Sequence, residues 1–147
     1  MVYIGIIVVI FLMELFIKNK MDASLKSYEK KEILKGKIVI QKYKNKGACM
    51  NLFDKHRKMV AIISIIFSVS IFIYFLFSLG NRGNVLLRTG LAILLGGAFS
   101  NTYDRLQRKY VVDYFSFHTK SKKINSIVFN IADFCILIGA MMTTIAS

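Results

Sequence analysis

Four long apolar stretches, Val2 to Ile17, Met59 to Leu79, Val85 to Phe99 and Ile124 to Ala146, dominate a chain of 147 residues. A helix that crosses a bilayer needs about 20 mostly apolar residues, and within hydrocarbon only helices or closed barrels satisfy their own backbone groups. The expected fold is therefore an all-α membrane protein, one domain over residues 1–147. Its four transmembrane helices are expected at about 2–17, 59–79, 85–101 and 124–146, with both chain ends on one side. The first stretch has no basic leader and no A-x-A site, and it runs directly into Lys18. It reads as a retained anchor rather than a cleaved signal peptide.

The net charge of +13 raises the possibility of a nucleic-acid partner. The basic residues lie in the connections between spans, however, where a membrane surface and its phospholipid are the natural partners. The first connection, Lys18 to Lys58, holds 13 Lys or Arg against four acids. Within it SLKSYEKKEILK is expected to form a short surface helix, and GKIVIQKYKNKG alternates as an exposed strand does, punctuated by Gly36 and Gly47. Asn81 to Asn84 closes a tight hairpin between spans two and three, and residues 102–123 form a second polar connection. Cys49 and Cys135 sit in no C-x-x-C or Cys/His cluster, so they read as structural thiols. His56 and His118 lie in basic loops without metal-ligand spacing and read as surface residues.

Alternating span direction brings the end of span one, the start of span two, the end of span three and the start of span four to one membrane face. The polar residues of note all fall there: Glu14, Asn101, Asp104, Arg105, Asn130 and Asp133. Asp133 is the most demanding. At 1.5 Å per residue it is expected roughly 14 Å along a helix that starts at Ile124. An ionised carboxylate inside hydrocarbon costs about 2.5–3.5 kcal/mol on insertion scales, so a polar pocket open to one face is the expected solution.

Asp113, after the apolar pair Val111–Val112, supplies a second carboxylate from a different element. Two carboxylates in a low-dielectric site do not both ionise cheaply, so they hold one proton between them near neutrality. That arrangement suits water-mediated peptide hydrolysis. The residues alone leave a plainer alternative open, in which both Asp are helix caps or partners of arginine. Asp104, next to Arg105 and a helix end, reads as structural.

The run G-G-A-x-x-N-x-x-D-R, then V-V-D-Y, then F-N-x-A-D, strongly resembles the lipoprotein signal peptidase (signal peptidase II) family of bacterial intramembrane aspartic proteases. The matching residues are Gly96, Gly97, Ala98, Asn101, Asp104 and Arg105, then Val111 to Asp113, then Phe129, Asn130, Ala132 and Asp133. Asn45, Gly47 and Ala48 resemble a further family segment. The resemblance implies that Asp113 and Asp133 are a catalytic dyad, with Glu14, Asn45, Asn101, Arg105 and Asn130 supporting the pocket. It implies a prolipoprotein substrate carrying diacylglycerol on its lipobox cysteine and cut just before it. It further implies no metal or organic cofactor, a monomer, and a bacterial cytoplasmic membrane location with the site on the extracytoplasmic side. Residues 18–58 would form a strand-containing cradle with a surface helix over that site.

The chain departs from the family pattern at Glu14, Leu15 and Ile17 in the first motif, at Cys49 and Met50, and by having no proline. A non-catalytic lipoprotein- or lipid-binding relative is the alternative those departures favour, and a small cationic membrane protein of unrelated role is a third. The family orientation also puts 19 Lys or Arg outside and only Arg82 and Arg88 inside, the reverse of the positive-inside rule.

Overall fold

The computed structural model of the protein describes residues 1–24, 29–48, 51–80, 84–119 and 121–147. Three long helices dominate: α1 (Val2–Ser24), α2 (Arg57–Gly80) and α3 (Val85–Gln107). Each is long and apolar enough to cross a membrane. A short helix, α4 (Lys122–Asn125), precedes α5 (Ile131–Ala146). α3 is the central column, packing along α1, α2 and α5. Its Leu91, Ala92 and Leu95 meet Ile7 of α1 and Phe75 of α2 in a buried cluster. Other large apolar side chains of α1 and α2, such as Val9, Phe16, Ile62 and Ile66, point outward, as lipid-facing residues do.

The α3–α5 contact is close because small residues let the backbones meet. A Cβ at Gly97 would lie 2.5 Å from the Ala132 carbonyl oxygen, and one at Gly139 would lie 2.5 Å from the Gly90 carbonyl oxygen. At the far end Asn84 caps α3 by accepting from Leu87 N at 2.9 Å and donates to the Ala146 carbonyl oxygen at 2.8 Å.

Among the described residues three strands complete the fold: β1 (Lys30–Ile33), β2 (Ile38–Asn45) and β3 (Val111–Phe117). They form an antiparallel sheet in the order β1-β2-β3. β2 is the strand expected from its alternation. Its partner β3 falls within the second polar connection, to which the sequence reading assigns no strand. Tyr43 pairs with Asp113 and Asn45 with Val111 beyond an irregularity that starts after Ile40.

Two expectations are corrected. The surface helix over SLKSYEKKEILK does not form across Lys30–Ile33, which pairs with Ile38–Gln41 instead. Left-handed residues Leu34 to Gly36 turn the chain back into a hairpin there, and the segment has no apolar stripe to dock a helix. Leu25 to Tyr28 of that segment lie outside the described residues. The fourth span does not run as one helix from Ile124: α5 starts at Ile131 and has 16 residues, short of the roughly 20 that a full span needs. Asn130 stops the helix from extending backwards because its extended backbone makes it the N-cap.

Candidate active site

Asp133 is the third residue of α5 rather than lying roughly 14 Å along a helix from Ile124. Asn130 and Asp133 form a reciprocal capping box. Asp133 N donates to Asn130 Oδ1 at 3.0 Å, and Asn130 N donates to Asp133 Oδ2 at 3.1 Å. The two carboxylates are joined through this same asparagine, because Asn130 Nδ2 donates to Asp113 Oδ1 at 2.6 Å. Asp113 Oδ2 accepts from Asn45 Nδ2 at 3.0 Å, and Asp133 Oδ1 accepts from Asn101 Nδ2 at 2.9 Å.

Each support is itself held in place. Asn45 Oδ1 accepts from Gly47 N at 3.0 Å, in a turn so tight that a Cβ at Gly47 would lie 2.2 Å from the Leu52 carbonyl oxygen. Arg105 donates to the carbonyls of Gly47 and Asn101, both at 3.2 Å, pinning that turn to α3. Its Nε is buried and makes no hydrogen bond among the described residues.

Behind Asn101 lies a buried ionic group. Asn101 Oδ1 accepts from Lys18 Nζ at 2.8 Å. Lys18 Nζ also lies 3.3 Å from Glu14 Oε2 and 3.3 Å from Asp104 Oδ2. Glu14 and Lys18 are fully buried. Asp104 has ionic and hydrogen-bond partners, but they are Lys18, Arg108 Nε at 3.1 Å and Val112 N at 3.2 Å rather than the expected Arg105. Asn101 and Arg105 therefore face the pocket while Asp104 faces away, dividing three residues that the sequence spacing puts on one face.

The carboxylates open on a cavity of about 380 Å³. α2 contributes Ser64, Phe67 and Ser68 to its wall, α3 contributes Ala98, Asn101, Thr102 and Arg105, and the approach to α5 contributes Ile127, Val128 and Phe129. The lining thus combines the carboxylates, amides and Arg105 with apolar side chains such as Phe67, Val128 and Ile136. Burial, with the neighbouring Asp133 carboxylate, pushes Asp113 up to about 7 against the opposing effect of its two amide donors and Lys18. Burial and Glu14 likewise raise Tyr114 above the ordinary tyrosine range, which keeps its hydroxyl a donor.

All the residues singled out from sequence gather here: Asp113, Asp133, Asn45, Asn101, Arg105 and Asn130 touch one another or the cavity, and Glu14 lies one contact further back. Lys18 and Tyr114 are the groups the sequence reading omits from the site. The i, i+4 spacing of Glu14 and Lys18 is the signal that could have found the first. His56 and His118 are exposed, Cys135 is a free half-buried thiol, and Cys49 lies outside the described residues.

A family model described as signal peptidase (SPase) II matches residues 6–147. The lipoprotein signal peptidase of Lactobacillus johnsonii is 32% identical over 143 residues, covering 97% of this chain and 89% of the relative. That of Halothermothrix orenii is 33% identical over 145 residues, covering 97% and 91%. Two solved structures described as a bacterial membrane enzyme obtained by the in meso method share the fold at TM-scores of 0.85 and 0.82. Each is 24% identical and covers 99% of this chain, which in turn spans 86% and 91% of those chains.

Proposed function

The chain belongs to the signal peptidase II family, and from that membership we propose that it is an intramembrane aspartic endopeptidase. Its substrates are diacylglyceryl-modified prolipoproteins, and it removes the signal peptide by cutting just before the lipidated cysteine. The observation that carries the reading is Asn130, one side chain and backbone amide that hold both Asp113 and Asp133 at the mouth of a single cavity.

The pair holds one proton between its carboxyl groups. The ionised carboxylate takes a proton from water as the water oxygen attacks the scissile carbonyl carbon, and the protonated carboxyl gives its proton to the carbonyl oxygen. Collapse of the tetrahedral intermediate breaks the C–N bond. The first carboxyl then passes its proton to the leaving amine, the second regains one from the collapsing hydroxyl, and the pair is restored. In this scheme Asn45, Asn101 and Asn130 orient the carboxylates, while Arg105 and Glu14 support the pocket. No metal or organic cofactor enters any step.

The apolar wall formed by Phe67, Val128 and Ile136 supports a lipid-bearing substrate, since acyl chains can stay in an apolar environment while the scissile amide reaches the carboxylates. A monomer is sufficient, because every group in the scheme belongs to one chain. The site faces the extracytoplasmic side of the bacterial cytoplasmic membrane, where such substrates emerge. The test is to incubate purified protein with a diacylglyceryl prolipoprotein and with its unmodified precursor. The lipidated form alone should yield the shortened product. No product from either would leave a non-catalytic, lipoprotein-binding protein.

A further inference from the structure

Two loops on the face that carries the dyad share a pattern that the proposed reaction does not use. At the apex of the β1–β2 hairpin, Ile33 and Leu34 are 43% and 66% exposed. Leu34, Lys35 and Gly36 there have φ of 51°, 56° and 80°. Ahead of α2, Leu52 and Phe53 are 54% and 60% exposed, and Phe53 also has a left-handed φ of 59°. That backbone region is disfavoured for bulky residues because Cβ crowds the next carbonyl oxygen, and it persists where something else determines the shape. Here it turns large apolar side chains outward at both apices, an arrangement with no benefit in water.

Cations surround both. Lys30, Lys31, Lys35 and Lys37 flank the first apex, and Lys55, Arg57 and Lys58 follow the second; all are exposed. Acids are fewer: Glu29 and Glu32 accompany the first group, and Asp54, which accepts from Asn51 Nδ2 at 3.1 Å, accompanies the second. Four lysines against two glutamates at the first apex, and two lysines and an arginine against one aspartate at the second, leave both clusters with a net positive charge.

Their place in the fold puts both apices near the starts of apolar helices, α5 for the first and α2 for the second. Ile38, at the base of the hairpin turn, pairs with Phe117. The Phe117 ring lies 6.3 Å from the Phe134 ring in the first turn of α5. The second apex runs through a short 3-10 turn, Asp54–His56, straight into α2. Apolar tips ringed by lysine and arginine match the headgroup layer of a bilayer. The tips reach the acyl boundary while the ammonium and guanidinium groups stay level with phosphates.

We propose that the two apices form a paired wedge that inserts into the headgroup layer and selects anionic phospholipids through its flanking cations. This rests on the loops alone and stands whether or not the carboxylate pair cleaves a peptide.

The chain contains no tryptophan, so Leu34→Trp and Phe53→Trp each introduce a single reporter at an exposed apex. The full-length variants would be reconstituted in phosphatidylcholine nanodiscs doped with equal mole fractions of dibrominated phosphatidylglycerol or dibrominated phosphatidylcholine. The expected result is blue-shifted emission quenched about twofold more by the anionic lipid. The excess should disappear at about 1 M salt, where charges are screened within a few ångströms. It should also disappear when Lys30, Lys31, Lys35 and Lys37 are all replaced by Gln in the Leu34→Trp protein. Red-shifted, unquenched emission would overturn insertion. Equal quenching by both lipids, or an excess that survives the Gln substitutions, would overturn selection by these cations.

Discussion

The Tyr114 hydroxyl donates to Glu14 Oε1 at 2.6 Å, joining β3 to α1 across 100 residues of chain. The same hydroxyl accepts from Ile131 N at 3.1 Å, the first residue of α5. With Lys18 and Asn101 it completes a closed circuit behind the carboxylates: Asp113 beside Tyr114, Tyr114 to Glu14, Glu14 to Lys18, Lys18 to Asn101, Asn101 to Asp133. A displacement anywhere in this circuit moves one carboxylate relative to the other.

Glu14→Ala should therefore destabilise the protein by about 3 kcal/mol, because it strips a buried anion from Lys18 and the acceptor from Tyr114. Lys18→Met should cost about 3–5 kcal/mol, since it leaves Glu14 and Asp104 facing one another without their shared cation. Glu14→Asp keeps the charge and should retain most stability and activity. Thermal unfolding in detergent would measure all three. Adding Glu14→Gln to Lys18→Met should recover part of the loss, as coupled sites do. Strict additivity of the two losses would mean that the buried ion pair is not a unit.

Hydropathy made α1, α2 and α3 legible, and alternation made β2 legible, because those signals are local. The residues of the pocket were legible too, since their order and spacing carry the family pattern whatever the fold around them. The start of α5 was not: the apolar residues before Asn130 look like more span, although Asn130 and Asp133 have the spacing of a capping box. Strand β3 escaped because VVDYFSF owes its extended form to pairing with β2, whose residues are about 70 positions away in sequence. The Lys18–Asn101 contact is tertiary as well, and only the Glu14–Lys18 spacing hinted at it.

The elevated Asp113 gives a pH signature with a definite sign. The folded carboxyl holds its proton up to about 7 against an ordinary value of 3.8, so between those limits the folded state binds more protons than the unfolded one. Its contribution to stability falls as pH rises through that window and levels off above about 7. The melting temperature of the parent minus that of Asp113→Asn should accordingly decrease from about pH 4 to about pH 7. Cleavage should decline above about pH 7, as the pair loses its shared proton. A melting difference that is flat with pH would mean that Asp113 is already ionised in the folded protein.

Asp113→Asn and Asp133→Asn should each lower cleavage of a diacylglyceryl prolipoprotein by at least about a thousandfold while the protein stays folded, since each carboxyl is proposed to move a proton. Asn130→Ala should cost both chemistry and stability, the latter by about 1 kcal/mol for the lost cap. Near-normal turnover by either Asp variant would remove that residue from the mechanism.

The proposed orientation is tested at Lys30, which is exposed on β1. In a background with Cys49 and Cys135 replaced by serine, Lys30→Cys should react with a membrane-impermeant maleimide on intact cells. Labelling only after lysis would turn the dyad toward the cytoplasm, in agreement with the positive-inside rule, and would remove it from the side where prolipoproteins are proposed to be processed.

The close approach of α3 and α5 links helix packing directly to the chemistry. Gly97 sits one turn before Asn101 on α3, and the backbone it touches at Ala132 immediately precedes Asp133. A side chain at Gly97 cannot be absorbed by rotamer changes, because the atom it meets at 2.5 Å is a backbone oxygen. Gly97→Val must push the start of α5 away from α3, lengthening the Asn101–Asp133 hydrogen bond that now measures 2.9 Å. Gly97→Ala adds only the Cβ and should produce a smaller form of the same displacement. Cleavage is therefore expected to fall in the order glycine, alanine, valine, by about a hundredfold or more at valine, as misplacement near 1 Å commonly costs. Substrate binding should weaken as well, because Ile136 of the apolar wall lies on α5 and its Cγ1 would be 3.1 Å from the new Cβ. Equal activity in all three proteins would mean that α5 carries Asp133 on a flexible attachment, and that α3 does not set its position.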